Sequence, residues 1–171
     1  MISFKKLLEN LGWFTPKPEI AVLIDAENIS PKVAEYAIDQ ARQMGFVRII
    51  RAFSDWTANN PPGYIALAAL AGLHRVQVDK LRAKKNSIDI ALASDAAILA
   101  GRGTVDTIVL VSGDQDYVPL VQALKGAGCT VIGIAGKQAA LDLRPACHRF
   151  IVAETPTPVR RARATPAAIT A

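Results

Sequence analysis

The stretch TIVLVSGDQDYVPLVQALKGAGCTVIGI, residues 107–134, decides the fold because it contains a complete strand–helix–strand pattern. The run Thr107–Val111 is almost entirely apolar and short, as a buried strand is, and Thr130–Ile134 is a second such run. Between them, hydrophobic residues recur at helical spacing over Tyr117–Lys125. Two buried strands joined by a helix predict a parallel pair, which is the repeating unit of an α/β fold.

The same alternation of strand and helix extends along the chain from Ile20 to Val152. Strands are predicted at Ile20–Ile24, Val47–Phe53, Arg75–Val78, Thr107–Val111, Thr130–Ile134 and Phe150–Val152. Helices are predicted at Pro31–Met44, Gly63–Leu73, Ser87–Leu99, Tyr117–Lys125 and Gln138–Leu143. Strands that are apolar along nearly their whole length are covered on both faces. The sequence therefore predicts a three-layer α/β/α sandwich around a mainly parallel sheet, with a strand order of about 3-2-1-4-5.

Composition divides the chain into one domain and two short flanking segments. The 171 residues are 51% hydrophobic, which suits a single core. Residues 1–18 are predicted to form a short amphipathic helix and linker, 19–154 the domain, and 155–171 a disordered basic tail rich in Pro, Ala and Thr. The tail contains three arginines and no acid, so it supplies +3 of the net charge of +5. Net charge alone is therefore weak evidence for a nucleic-acid partner.

The sequence favours a cytoplasmic protein. No apolar stretch is long enough to insert stably into a membrane, and the N-terminus lacks the features of a signal peptide. The widely separated Cys129 and Cys147 are expected to be reduced thiols. The N-terminal helix is expected to pack on the domain, or to bind a second copy of the chain or another protein. Binding to a membrane surface is an alternative for this helix.

Acidic residues follow two of the predicted strands at the points where these strands end. Asp25 follows strand one in VLIDAEN, and Asp114 and Asp116 follow strand four. In the order 3-2-1-4-5 these strands are neighbours at the reversal point, where open α/β sheets bind ligands. Asp89 begins the helix that crosses over from strand three to strand four. We therefore expect the four carboxylates to lie in one crevice.

Several carboxylates in one crevice repel each other, and a bound cation or a raised pKa makes the arrangement tolerable. Oxygen ligands without histidine suit Mg²⁺ or Mn²⁺, which commonly serve phosphate chemistry. Asn28 and Ser112 are positioned to contact a metal-bound water or a phosphate. Each acid also has a purely structural explanation. Asp25 can cap the helix that follows it, an acid such as Asp89 is favoured in the first turn of a helix, and Asp114 or Asp116 can cap the next helix.

Three segments together resemble the NYN-domain family, a branch of the PIN-like nucleases. These segments are VLIDAEN (22–28), SIDIALASD (87–95) and the stretch 107–134, and the resemblance covers Ile20 to Val152. It implies a PIN-like sandwich with a metal-dependent endonuclease site that usually acts on RNA. By this resemblance the site residues are Asp25, Asn28, Asp89, Asp114 and Asp116, with Asp95 as a further recurring acid. Tyr117 departs from the family pattern, where phenylalanine is more familiar.

An RNA substrate requires positive charge beside the acids. Four cations occur within six residues directly before Asp89, and these are Lys80, Arg82, Lys84 and Lys85. Arg51 on strand two adds another positive charge. Trp56, Tyr64 and Tyr117 are candidates for base stacking or, alternatively, for the core.

These features predict a metal-dependent endoribonuclease that hydrolyses RNA phosphodiester bonds at an aspartate-lined Mg²⁺ or Mn²⁺ site. The first alternative is a non-catalytic RNA- or protein-binding regulatory module on the same fold. The second is a small-molecule phosphatase or nucleotide hydrolase, because such an enzyme uses the same metal chemistry.

Overall fold

A computed structural model describes residues 17–58, 60–79, 86–137 and 142–153. The strands are β1 (Glu19–Asp25), β2 (Phe46–Ser54), β3 (His74–Gln77), β4 (Thr107–Val111), β5 (Thr130–Ala135) and β6 (Arg149–Val152). The helices are α1 (Pro31–Met44), α2 (Pro62–Ala71), α3 (Ser87–Gly101), α4 (Val118–Gly126) and α5 (Leu143–Ala146). The predicted N-terminal helix and the predicted basic tail lie outside the described residues.

The six strands form one all-parallel sheet with the order β3-β2-β1-β4-β5-β6. This confirms the predicted α/β fold and extends the predicted strand order by β6. The order reverses between β1 and β4, which pair in register from Ile20 opposite Thr107 to Ile24 opposite Val111. Asp25 is opposite Phe53 on the other side of β1. The carboxyl ends of β1 and β4 are therefore side by side at the reversal point.

The two faces of the sheet carry separate apolar clusters, which explains the three layers. Side chains alternate along β1, so Ile20, Val22 and Ile24 lie in one cluster, while Ala21 and Leu23 lie in the other. Helix α1 buries one face against the first cluster through Val33, Ala34, Ala37, Ile38 and Ala41. Helix α3 does the same against the second cluster through Ile88, Leu92, Ala96 and Leu99. Because helices cover the sheet on both faces, every residue of β4 is buried.

Four of the five predicted helices differ in their bounds from those in the structure, and for α2 and α3 the difference is only one or two residues at an end. The segment Gln115–Tyr117 forms a 3₁₀ turn, and α4 begins only at Val118. The turn is tight because the Asp114 carboxylate accepts a hydrogen bond from the backbone N–H of Asp116. The short helix predicted at Gln138–Leu143 falls largely on residues outside the described part. The described helix that follows them is α5, which begins at Leu143. In the described part of the chain, no helix is long and apolar enough to cross a membrane.

Candidate functional site

Asp25 is the buried centre of the site. It is the last residue of β1, and its side chain lies beneath the surface, with the residue only 1% exposed. Its Oδ2 accepts hydrogen bonds from Asn28 Nδ2 at 2.9 Å and from Ser112 Oγ at 3.2 Å. Its Oδ1 is also buried and has no hydrogen-bond partner among the described residues. A buried polar atom without a partner is uncommon in folded proteins, and a binding site is one reason for it.

The surroundings of Asp25 oppose its ionisation. Burial raises the pKa of this carboxyl group above its ordinary value, because the charged form loses its hydration. The hydrogen bonds from Asn28 and Ser112 act in the opposite direction and favour the carboxylate. The negative charge of Asp89 raises the pKa further. A nearby cation would therefore stabilise the ionised form more than it would at an exposed acid.

Ser112 connects the end of β1 to the turn that follows β4. Its buried hydroxyl donates to Asp25 and accepts a hydrogen bond from the Asp114 backbone N–H at 3.2 Å. Asp114 Oδ1 in turn accepts from the Asp116 backbone N–H at 2.9 Å. One oxygen of Asp114 thus caps the 3₁₀ turn, as the structural explanation of this acid expects. Asp116 is exposed to solvent.

Asp89 joins this group through Tyr117. The phenol of Tyr117 is buried, and its hydroxyl donates to Asp89 Oδ1 at 2.8 Å. Burial raises the pKa of this phenol, and the negative charges of Asp25, Asp89 and Asp114 raise it further. Three acids from three separate segments therefore act electrostatically on one hydroxyl group. Their proximity follows from the sheet order, because β1 and β4 are neighbours and α3 crosses to the same edge.

The donor atoms at this edge fit a hard divalent cation, although they do not form a closed cage. In residues 17–58, 60–79, 86–137 and 142–153, no group of three or more His, Cys, Asp or Glu side chains is close enough to hold a metal ion. Mg²⁺ keeps several waters and is commonly bound through only one or two carboxylates. The buried Asp25 Oδ1 and the all-oxygen donor set match that mode of binding. Metal binding by Asp25, Asp89, Asp114 and Asp116 stays a prediction.

The residues predicted to contact substrate have different outcomes. Lys80, Arg82, Lys84 and Lys85 lie outside the described residues, so their role stays a prediction. The guanidinium group of Arg51 is paired with the Asp95 carboxylate. Trp56, Tyr64 and Tyr117 are buried and belong to the core, which confirms the core alternative for these aromatics over base stacking.

Sequence reasoning missed two contacts that shape the site. The Tyr117–Asp89 hydrogen bond joins residues 28 positions apart, and the Arg51–Asp95 ion pair joins residues 44 positions apart. Asp95 lies in the middle of α3, where helical periodicity alone favours a solvated face. An arginine on a central strand and an acid on the covering helix are the signal that could have suggested this pair.

The pH dependence of stability provides a test of the environment of Asp25. Because its pKa is raised on folding, the folded protein binds this proton more tightly than the unfolded chain does. Without metal, the stability contributed by this group is expected to fall as pH rises from about 4 through the raised pKa. Replacing Asp25 with Asn removes this dependence. The free energy of unfolding of Asp25→Asn minus that of the wild type should therefore increase with pH.

Urea unfolding of both proteins in EDTA, from about pH 4 to 8, measures this difference. Hydrogen bonds from Thr57 and Gln77 lower the pKa of Asp55 to about 2. In acid, Asp55 therefore makes the free energy of unfolding rise with pH, which is the opposite of the effect of Asp25. That contribution is the same in both proteins and cancels in the difference. A difference that stays constant with pH would contradict the inferred environment of Asp25.

The fold and the position of the acids define a class of protein. It is an open, all-parallel α/β protein whose acidic residues lie at the topological switch point, where such folds bind ligands. Residues 19–154 match the NYN domain, and the chain therefore belongs to the NYN domain family, a PIN-like nuclease family. This confirms the resemblance noted in the sequence.

One solved structure supports the fold independently of the family match. The chain is similar to VPA0982, a protein of unknown function from Vibrio parahaemolyticus, with a TM-score of 0.65 and 19% sequence identity. The similarity covers 82% of this chain and 96% of that chain. At this identity the likeness shows the fold alone. No curated protein matches the chain.

Proposed function

We propose that this protein is a divalent-metal-dependent endoribonuclease that hydrolyses RNA phosphodiester bonds at the edge formed by β1, β4 and α3. The observation that carries the proposal is the buried Asp25, whose Oδ1 has no partner among the described residues while Oδ2 is fixed by two hydrogen bonds. Membership of a PIN-like nuclease family supports the same chemistry.

Each acid has a separate role in this proposal. Asp25, Asp89 and Asp114 would bind the cation, some of them through the waters that it keeps, with Asn28 and Ser112 fixing the orientation of Asp25. Mg²⁺ or Mn²⁺, when bound, supplies positive charge that stabilises the phosphoryl oxygens and the departing oxygen. Asp116, which is exposed, would contact the hydrated cation and accept a proton from the attacking water.

RNA is the proposed substrate because of the charges beside the acids. Lys80, Arg82, Lys84 and Lys85 directly precede α3, whose first turn contains Asp89. Cations next to the cleavage site would bind the flanking phosphates of a polymer, which a small phosphorylated molecule does not have.

Metal-dependent cleavage of RNA tests the proposal, with Asp114→Asn as the inactive variant. Purified protein with Mg²⁺ or Mn²⁺ is expected to cleave a labelled RNA, and EDTA should stop the reaction. Loss of one metal ligand should lower the rate by about 100-fold or more, because the metal stabilises the transition state by several kcal/mol.

Asp106→Asn is the matched control for Asp114→Asn. Asp106 immediately precedes β4 and Asp114 follows its carboxyl end, so the two acids lie at opposite ends of the same strand. The control should cleave RNA at the wild-type rate. Equal cleavage by Asp114→Asn and the wild type would overturn the assignment of the site.

A non-catalytic RNA- or protein-binding module is the second candidate. Among the described residues no preformed group of three metal-ligating side chains is present, and this observation favours it. Such a module would bind RNA, or a protein partner, without cleaving RNA in Mg²⁺ or Mn²⁺. An electrophoretic mobility assay run beside the cleavage assay separates the two candidates, since intact bound RNA in both metals would favour the module.

A further inference from the structure

We propose that Tyr117 is a positioning residue whose hydroxyl holds the Asp89 carboxylate in the orientation that binds a divalent cation. The inference rests on the metal site of the proposed function, and it assigns a role to a side chain that would not itself contact the cation.

Tyr117 is held rigidly enough for such a role. It is 1% exposed, and its ring belongs to the apolar cluster beneath α3 and α4. It is also the last residue of the 3₁₀ turn that Asp114 caps. The turn therefore carries two acids and, at its end, the hydroxyl that reaches a third acid at 2.8 Å. A movement of the turn would displace all of these groups together.

Asp89 needs an orienting partner of this kind. It lies in the first turn of α3, and the side chain of the N-cap residue, Asn86, makes no capping hydrogen bond. Its own side chain is partly exposed. The bond to Tyr117 links the beginning of α3 to the turn after β4, so it fixes the separation between Asp89 and the acids on that turn.

A phenol suits this role better than a charged donor. Its hydroxyl uses one lone pair of Asp89 Oδ1 and adds no positive charge, so the carboxylate keeps its negative charge and its other lone pairs for a cation. A lysine or arginine at the same place would form an ion pair with Asp89 and compete with the metal.

Calorimetric titration of the metal-free protein with Mn²⁺ tests the inference without depending on catalysis. Tyr117→Phe removes only the hydroxyl and is expected to weaken Mn²⁺ binding by about 10-fold, as loss of an outer-sphere partner usually does. Tyr64→Phe is the matched control. Tyr64 is equally buried, and its hydroxyl donates to a backbone carbonyl, that of Ile29, at 2.7 Å. The control should bind Mn²⁺ within about 2-fold of the wild type, although both variants lose one buried hydrogen bond.

A second comparison uses Asp89→Asn as the background. If Tyr117 acts through the Asp89 carboxylate, Tyr117→Phe should weaken Mn²⁺ binding no further in the Asp89→Asn protein. A further loss of similar size in that background would overturn the proposed route.

The outcomes separate this inference from the proposed function. Equal Mn²⁺ affinity of the wild type and Tyr117→Phe would overturn the role of Tyr117, while RNA cleavage by the wild type would still support the nuclease. Weaker Mn²⁺ binding by Tyr117→Phe in a protein that cleaves no RNA would support the role and overturn the nuclease. A wild type that binds no Mn²⁺ would overturn both.

Discussion

Asp25→Asn is expected to abolish metal-dependent RNA cleavage without lowering the melting temperature of the metal-free protein. The asparagine side-chain oxygen can still accept from Asn28 and Ser112, but the amide cannot supply the negative charge that the cation needs. We expect the cleavage rate to fall by about 1,000-fold, since this acid lies at the buried centre of the site.

The stability of Asp25→Asn follows from the same surroundings. A neutral amide avoids the dehydration of a buried charge and its repulsion from Asp89, both of which raise the pKa of Asp25. These gains offset the cost of burying, without a hydrogen-bond partner, the amide N–H₂ that would replace Oδ1. The melting temperature in EDTA should therefore equal or exceed that of the wild type.

Cleavage assays and thermal unfolding of the same preparations measure both effects. The Asp106→Asn protein serves again as the control with the same change of charge. A melting temperature lower by more than about 4 °C, equivalent to at least 1 kcal/mol in a domain of this size, would mean that Asp25 supports the fold. Cleavage by Asp25→Asn at the wild-type rate would remove Asp25 from the site.

Arg51→Ala is expected to cause the largest loss of stability among these variants. Arg51 on β2 pairs with Asp95 on α3, and their side chains are only 31% and 20% exposed. One oxygen of Asp95 is already buried without a partner among the described residues. Removing the arginine leaves the whole carboxylate uncompensated, which we expect to cost about 2–3 kcal/mol, somewhat less than for a fully buried pair.

Urea unfolding measures this loss, and β2 itself provides the control. Arg48 on the same strand pairs with Glu19 at the exposed edge of the protein. Arg48→Ala removes an equal charge from an exposed pair and should change the free energy of unfolding much less. The double variant Arg51→Ala/Asp95→Asn should recover part of the loss, because no charge is then left unpaired. Equal effects of Arg51→Ala and Arg48→Ala would contradict the importance of the Arg51–Asp95 pair.

The fold could be predicted because its information is local. Runs such as Ile20–Ile24 and Thr107–Val111 identify buried strands by themselves, and their alternation with helices implies a parallel sheet. The edge at which Asp25 and Asp114 lie follows from the same information, since Asp25 comes directly after Ile24 and Asp114 comes three residues after Val111. No knowledge of side-chain packing is needed for these steps.

The contacts within the site could not be predicted because they depend on tertiary packing. The rotation of α3 about its axis decides whether Asp95 faces solvent or Arg51. The hydrophobic pattern of a helix defines that rotation only to within about a third of a turn. The hydrogen bond from the Tyr117 hydroxyl to Asp89 also depends on packing, because it joins the 3₁₀ turn before α4 to the first turn of α3. The burial of Trp56 also reflects packing, since its ring lies edge-on to that of Tyr64, at a centroid distance of 5.3 Å.

The two attachments of α3 have an evolutionary consequence. Tyr117 holds this helix from the β4 side and Arg51 from the β2 side, so β1 with Asp25 lies between the two points. Two described contacts thus set the place of Asp89, one of α3 with the turn after β4 and one with β2. Under the proposed function, changes in the sequence of residues 80–85 would alter the choice of RNA without moving the acids. If the proposed function holds, recognition and catalysis can therefore evolve separately in this domain.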